Sequence, residues 1–255
     1  MKPLQLILAA ALVAGAGAMA TSTTAAAAPR TPACGHPADI LALSNWKETL
    51  PTGSTGHPTE IKQPELKQYS VDPWFTPNAT CDAVQFRAAV NGVTTSGSGN
   101  PRSELREMTG GGSDEASWST TSGTSTMVID EAVTHLPAER PYVVAGQIHD
   151  ADDDVTVFRL EGSKLYVTKG DTTHYQLATD SYQLGTRFQA KFVASGGQIK
   201  AYYNDKLVTT LSVKSSGDYF KAGAYTQANC GNSSPCAASN YGEVAIYGLT
   251  VTHQK

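Results

Sequence analysis

The chain has 255 residues and a net charge of −4, from 19 Lys and Arg against 23 Asp and Glu. Its length suits one all-β domain, a class that often runs roughly 200–250 residues, with ample core. The acidic balance argues against nucleic acid as a partner, so any anion site must be a local basic patch.

The first residues read as an export signal. Lys2 supplies a positive start, and Leu4 to Ala18 is apolar and small. Ala18-Met19-Ala20 and the run Ala25 to Ala28 offer cleavage sites. The apolar core is too short for a membrane span of roughly 20 residues, and no later segment is long enough. The sequence therefore predicts a secretory signal over 1–28, one domain over 29–255, a secreted protein and no membrane partner. The four cysteines fit export. Cys230 and Cys236, six apart in a polar loop, fit a local bridge, which leaves Cys34 with Cys81. The other two connectivities stay open and need all four to meet. No CxxC pair points to zinc.

Pro37 to Leu43 predicts a short helix with Pro in its first turn. Asn45 to Pro51 reads as a strand, and Thr52 to Pro64 as a polar loop. Val84 to Val90 is a strand closed by Asn91-Gly92. Thr94 to Pro101 is Gly/Ser-rich and flexible, and delivers the chain to Arg102-Ser103-Glu104-Leu105-Arg106-Glu107. Thr124 to Val133, Tyr142 to His149, Val155 to Glu161 and Lys164 to Thr168 are β-branched or alternating. Arg187 to Ala194, Gln198 to Tyr203 and Lys206 to Val213 form a meander through Ser195-Gly196-Gly197 and Asn204-Asp205. Tyr219 to Gln227 and Gly242 to Thr252 close the chain. Many short antiparallel strands predict a β-sandwich or jelly roll whose curved sheets hold an extended ligand on a concave face.

Three strands share one design. Side chains alternate across a strand, so Arg102, Glu104 and Arg106 share a face opposite Leu105. Taken alone, that is a solvated salt-bridge ladder. Gln147 and His149 share a face opposite Ile148. Tyr219, Lys221, Gly223, Tyr225 and Gln227 share a face opposite Phe220, Ala222 and Ala224, and the bare Gly223 suggests close approach of a ligand. Together the three predict a basic, hydrogen-bonding groove with an imidazole and a phenol as proton-transfer groups. That suits β-elimination of a 4-O-linked uronate. The C5 proton leaves next to a carboxylate, whose growing charge needs donors. Hydrolysis would instead need two carboxylic side chains across the bond.

Arg102 to Arg106, Gln147-Ile148-His149 and Tyr219 to Gln227 resemble the three signature blocks of the alginate lyases of polysaccharide lyase family seven. Asn45 to Pro51 resembles that family's opening strand. The blocks fall in the family's order and cover essentially the whole mature chain. Thr226 departs, standing where the family usually has Asn, on the side away from the groove. The resemblance implies a β-jelly roll with a long cleft and an endolytic lyase of alginate that uses no metal or cofactor. A monomer is expected. It implies carboxylate neutralisers at Arg102, Gln147 and His149, and a catalytic phenol at Tyr225. Arg106, Tyr219, Lys221 and Gln227, with Glu104 among them, become cleft residues. Ile148 implies action on guluronate-containing blocks. A lyase for glucuronan and a non-catalytic carbohydrate-binding jelly roll are the alternatives. Asp150, Asp152, Asp154 and Glu161 match the acidic positions of an EF-hand loop, but Val155 stands where that loop needs Gly, which favours an acidic turn.

Overall fold

Period-two alternation decides the architecture, as in Phe188 to Ser195, where buried and half-buried residues alternate without a break. The computed structural model describes residues 34–255; the predicted export signal lies outside them. After α1 (Pro37–Ile40) come β1 (Trp46–Ser54), β2 (His57–Ile61), β3 (Phe75–Pro77) and β4 (Val84–Ala89). Next are β5 (Arg102–Thr109), β6 (Asp114–Glu115), β7 (Trp118–Ser119) and β8 (Thr124–His135). Then follow β9 (Tyr142–His149), β10 (Asp154–Glu161), β11 (Lys164–Lys169) and β12 (Thr172–Thr179). The last five are β13 (Phe188–Ser195), β14 (Gln198–Tyr203), β15 (Lys206–Ser212), β16 (Ser216–Thr226) and β17 (Tyr241–Gln254).

Two antiparallel sheets form the sandwich. One has ten strands, ordered β12-β11-β10-β9-β16-β5-β1-β2, with β6 on β5 and β7 on β16. The other has seven, ordered β15-β14-β13-β8-β17-β4-β3. The first sheet sends Leu105, Ile148, Phe158 and Phe220 inward, and the second sends Phe86, Ile129, Phe192 and Val244. Phe158 and Phe192 meet across the gap with ring centroids 4.7 Å apart. This is the expected jelly-roll class. Both disulfides form, Cys34–Cys81 and Cys230–Cys236. The turn between β14 and β15 puts both Asn204 and Asp205 at positive φ, the demand of a two-residue primed turn.

Three local expectations are corrected. The helix is only four residues long, because Leu41 turns extended so that Leu41 and Leu43 both reach the core. Thr52 to Pro64 is not a loop: β1 runs on to Ser54, turns at Thr55-Gly56 and returns as β2. Thr94 to Pro101 is not a free linker. The side-chain amide of Asn229 donates to Gly99 O and to Asn100 Oδ1, each at 3.0 Å.

Candidate active site

Strand register assembles the site. Lys47 of β1 lies opposite Arg106 of β5, Arg106 opposite Lys221 of β16, and Lys221 opposite Gln147 of β9. Opposed residues point to the same face, so this polar row crosses four strands on the side away from the core. Thr49, Glu104 and Gly223 form the next row, and Arg102 lies opposite Tyr225 beyond it. On the other flank Tyr219 lies opposite His149. The three blocks, far apart in sequence, thus become neighbours. A cleft of about 520 Å³ lies here, lined by Lys47, Arg102, Arg106, Glu115, Tyr219 and Lys221 among others.

Glu104 is the hub. It is wholly buried, at 0% exposure. Its Oε2 receives Lys221 Nζ at 2.6 Å and Arg102 Nη1 at 3.1 Å, and its Oε1 receives the Gln147 amide. Burial pushes this carboxyl up, but the Lys221 and Arg102 charges outweigh that and hold it below the ordinary carboxylate range. Burial pushes Lys221 down to about 8, and the Arg102 charge adds to this against the pull of Glu104. At neutral pH the cluster is therefore one anion under two cations. Arg102 also stacks on the Tyr225 ring at 3.9 Å, and Arg106 on the Tyr219 ring at 3.9 Å. At the rim, Lys47 binds Glu60 at 2.7 Å and Glu115 at 3.2 Å, and Glu115 also takes Arg106 at 3.2 Å.

His149 and Tyr225, the two groups expected to move protons, flank this cluster. His149 Nδ1 lies 2.7 Å from the Asp150 carbonyl and 3.1 Å from the Tyr219 hydroxyl. Burial leads the effects that hold its imidazole below the ordinary histidine range. The Tyr225 hydroxyl lies 2.8 Å from Ser98 Oγ.

Of the residues singled out from the sequence, Arg102, Gln147 and Lys221 bind Glu104, Tyr225 stacks on Arg102, and Tyr219 packs against Arg106 and His149. The solvated-ladder reading of the Arg102 strand fails, since Arg102, Glu104 and Lys221 are all buried. Glu104, expected among the cleft residues, is instead sealed from solvent and holds Arg102, Lys221 and Gln147 in place. Gln227 stands apart, accepting from Arg159 Nη1 at 2.8 Å. Gly223 is misread as a sign of ligand approach. Its φ is +144°, β16 bulges there against β9, and a Cβ would meet Ser103 O at 2.5 Å and Phe86 at 3.1 Å. Neighbouring backbone and core demand this glycine. Thr226 does point away, donating to Ala88 O at 2.8 Å. The acidic turn holds no calcium loop: Asp150 Oδ1 accepts from the amides of Asp152 and Asp153, while Glu161 sits at the far end of β10 on Arg159 and His174. Among the described residues, no group of three or more His, Cys, Asp or Glu could hold a metal. Lys47 in the cleft wall and Ser98 beside Tyr225 were not singled out from the sequence. The alternation of β1 pointed to the first, and nothing in a Gly/Ser loop to the second.

A family model described as alginate lyase matches residues 41–253. A crystal structure of the alginate lyase from Corynebacterium sp. matches at 65% identity and TM-score 0.85, covering 87% of this chain and 99% of that one. Alginate lyase AlgAT5, of polysaccharide lyase family 7, matches at 52% and 0.81, covering 86% and 99%. Alginate lyase A1-II', of the same family, matches at 25% and 0.73, covering 86% and 99%. No curated protein matches.

Proposed function

The chain belongs to the alginate lyases of polysaccharide lyase family 7, and from that premise we propose a secreted, endolytic, monomeric enzyme that cuts alginate by β-elimination, guluronate-containing blocks included. Residues 1–28 would leave on export, and 29–255 form the catalytic domain. The observation that carries this reading is the buried Glu104 carboxylate, which holds Arg102, Lys221 and Gln147, with the Tyr225 ring stacked on Arg102.

The chemistry follows from the donors left over. In β-elimination the C5–H electrons form the C4–C5 double bond while the C4–O4 bond breaks. The substrate carboxylate gathers charge as C5 loses its proton. Arg102 spends Nη1 on Glu104 and its Nε is buried, which leaves Nη2 for that carboxylate. Gln147 keeps its second amide proton for the same purpose. In mannuronate the C5 proton and O4 are syn, so the Tyr225 oxygen can take the one and protonate the other. In guluronate they are anti, so His149 takes the proton and Tyr225 serves O4. Arg106, Tyr219 and Lys221 hold neighbouring uronates. Ile148 is wholly buried, so its family link to guluronate acts through strand position.

The test is incubation with alginate, polymannuronate, polyguluronate and glucuronan, following the ultraviolet absorbance of the unsaturated product and its size. Unsaturated oligomers of mixed length from alginate and polyguluronate are expected. Activity on glucuronan alone, or single sugars as the first product, would overturn the reading.

A further inference from the structure

Ser98 lies on a Gly/Ser-rich loop with no alternation to mark it, yet its half-buried hydroxyl sits 2.8 Å from the Tyr225 hydroxyl. The contact is braced. Ser98 N donates to Thr95 O at 3.1 Å, and Asn100 N donates to Ser98 Oγ at 3.1 Å. The Asn229 amide grips the next two residues, Gly99 and Asn100. Asn229 is itself fixed, since its Oδ1 accepts from Gly231 N at 2.9 Å and its N donates to Asn232 Oδ1 at 2.9 Å. The Cys230–Cys236 disulfide closes the loop that begins at the following residue.

Counting protons gives the hydroxyl a specific use. Ser98 Oγ already accepts from Asn100 N and owns one proton. Two acceptors compete for that proton, Asn100 O at 3.3 Å and the Tyr225 oxygen at 2.8 Å. When Tyr225 is a phenol, its O–H points at Ser98 Oγ, and the serine proton turns to Asn100 O. When Tyr225 is a phenolate, the serine proton turns to it. One rotation about a single bond follows the change, which no donor or acceptor of fixed polarity could do.

We propose that Ser98 is a positioning residue that partners the Tyr225 oxygen in both of its protonation states during elimination. This rests on the reading of Tyr225 as the phenol that exchanges protons with substrate. The charged group against the Tyr225 ring is Arg102 of β5. Across the ladder from Tyr225, β9 presents Val144, which has no charge. Ser98 Oγ is thus the hydrogen-bond partner of the Tyr225 oxygen among the described residues.

The experiment compares Ser98→Ala, Ser98→Thr and Tyr225→Phe on polymannuronate, where one phenol handles both proton steps. Ser98→Ala should lower kcat by roughly tenfold to a hundredfold, the worth of a hydrogen bond to an ionised group. KM should stay within about twofold, since the bond matters to proton transfer and not to substrate binding. The acidic limb of the kcat profile should move to higher pH, because the phenolate has lost a donor. Ser98→Thr keeps the hydroxyl and should restore most of the rate. Two outcomes overturn the proposal while leaving the phenol reading intact. One is an inactive Tyr225→Phe beside a Ser98→Ala of unaltered kcat and pH profile. The other is a Ser98→Ala loss with no pH shift and no rescue by Thr. An active Tyr225→Phe overturns the phenol reading, and this proposal with it.

Discussion

The main-chain carbonyl of Asp150 lies 2.7 Å from Nδ1 of His149. A carbonyl only accepts, so Nδ1 carries the ring proton and shares it with the Tyr219 oxygen 3.1 Å away. Nε2 then keeps its lone pair. A neutral imidazole with a free Nε2 is equipped to take a proton, and gives nothing to a carboxylate. The two roles the sequence assigned to His149 thus separate: the tautomer favours the base over the neutraliser.

His149→Ala should accordingly cost polyguluronate cleavage about 10²–10⁴-fold, the range of a lost general base. Polymannuronate, whose syn geometry lets Tyr225 act alone, should lose far less. Initial rates on the two block polymers decide this. Equal losses on both would reject the division of labour between His149 and Tyr225.

Arg102 makes two contacts that an ammonium cannot reproduce together, a 3.1 Å bond to Glu104 and a planar stack on Tyr225. Arg102→Lys keeps the charge and loses the fork. Turnover should fall by about 10²-fold or more with a smaller change in KM, because the carboxylate gains charge in the transition state. Near-normal turnover in the Lys variant would make Arg102 a structural residue.

The pH response should split between the two kinetic constants. Burial holds His149 below its ordinary 6.5, so kcat on polyguluronate should persist to below that value before falling as Nε2 is protonated. Lys221 is a cation below about 8 and loses its charge above it. KM for the polyanion should therefore rise as pH passes about 8. Lys221→Gln, with a high KM throughout, should flatten that rise. The profiles must be taken at constant ionic strength, since screening weakens polyanion binding by itself. A KM that stays flat from pH 7 to roughly 9 would show that Lys221 does not meet the substrate.

Period two made much of this legible. Arg102, Gln147, His149 and Tyr225 announced themselves because each alternates with a core residue on a regular strand. Five strands went unseen: β6 and β7 are two-residue pieces off the main strand order, and β2, β3 and β12 are sheet edges. Edge strands are short, polar or proline-bearing because an exposed row of backbone donors must not recruit another chain. His57–Ile61 carries Pro58 and Glu60, and Thr172–Thr179 is exposed for most of its length. Gly223 was misread because a bulge changes which side a missing Cβ would face. Ser98 left no trace, since its importance comes from a loop held by Asn229, 130 residues away in sequence from Gly99.

Glu131 points into the core from β8, opposite Phe188 on β13 and Ile246 on β17. It is wholly buried, and neither carboxyl oxygen has a hydrogen-bond partner among the described residues. Burial, with the nearby Asp130 charge, pushes it up from 4.5 to about 8. In the folded chain it is thus a neutral acid at pH 7, whereas in the unfolded chain it ionises. A raised folded-state pKa contributes fully below the unfolded value and is lost as pH rises through the folded one. Stability should therefore fall between about pH 4.5 and 8 on account of this one group. Glu131→Met removes both the titration and the unpaired oxygens at similar volume. It should stabilise the protein by ~1–4 kcal/mol at pH 8 and much less at pH 4.5. Glu131→Gln should share the flattened pH response with a smaller gain, since its amide stays unpaired. Neither should alter kcat, because Glu131 lies on the seven-stranded sheet and the cleft on the other. Thermal unfolding across that pH range is the measurement. Parallel melting curves for wild type and Glu131→Met would mean that the carboxyl is already solvated or paired in the folded chain.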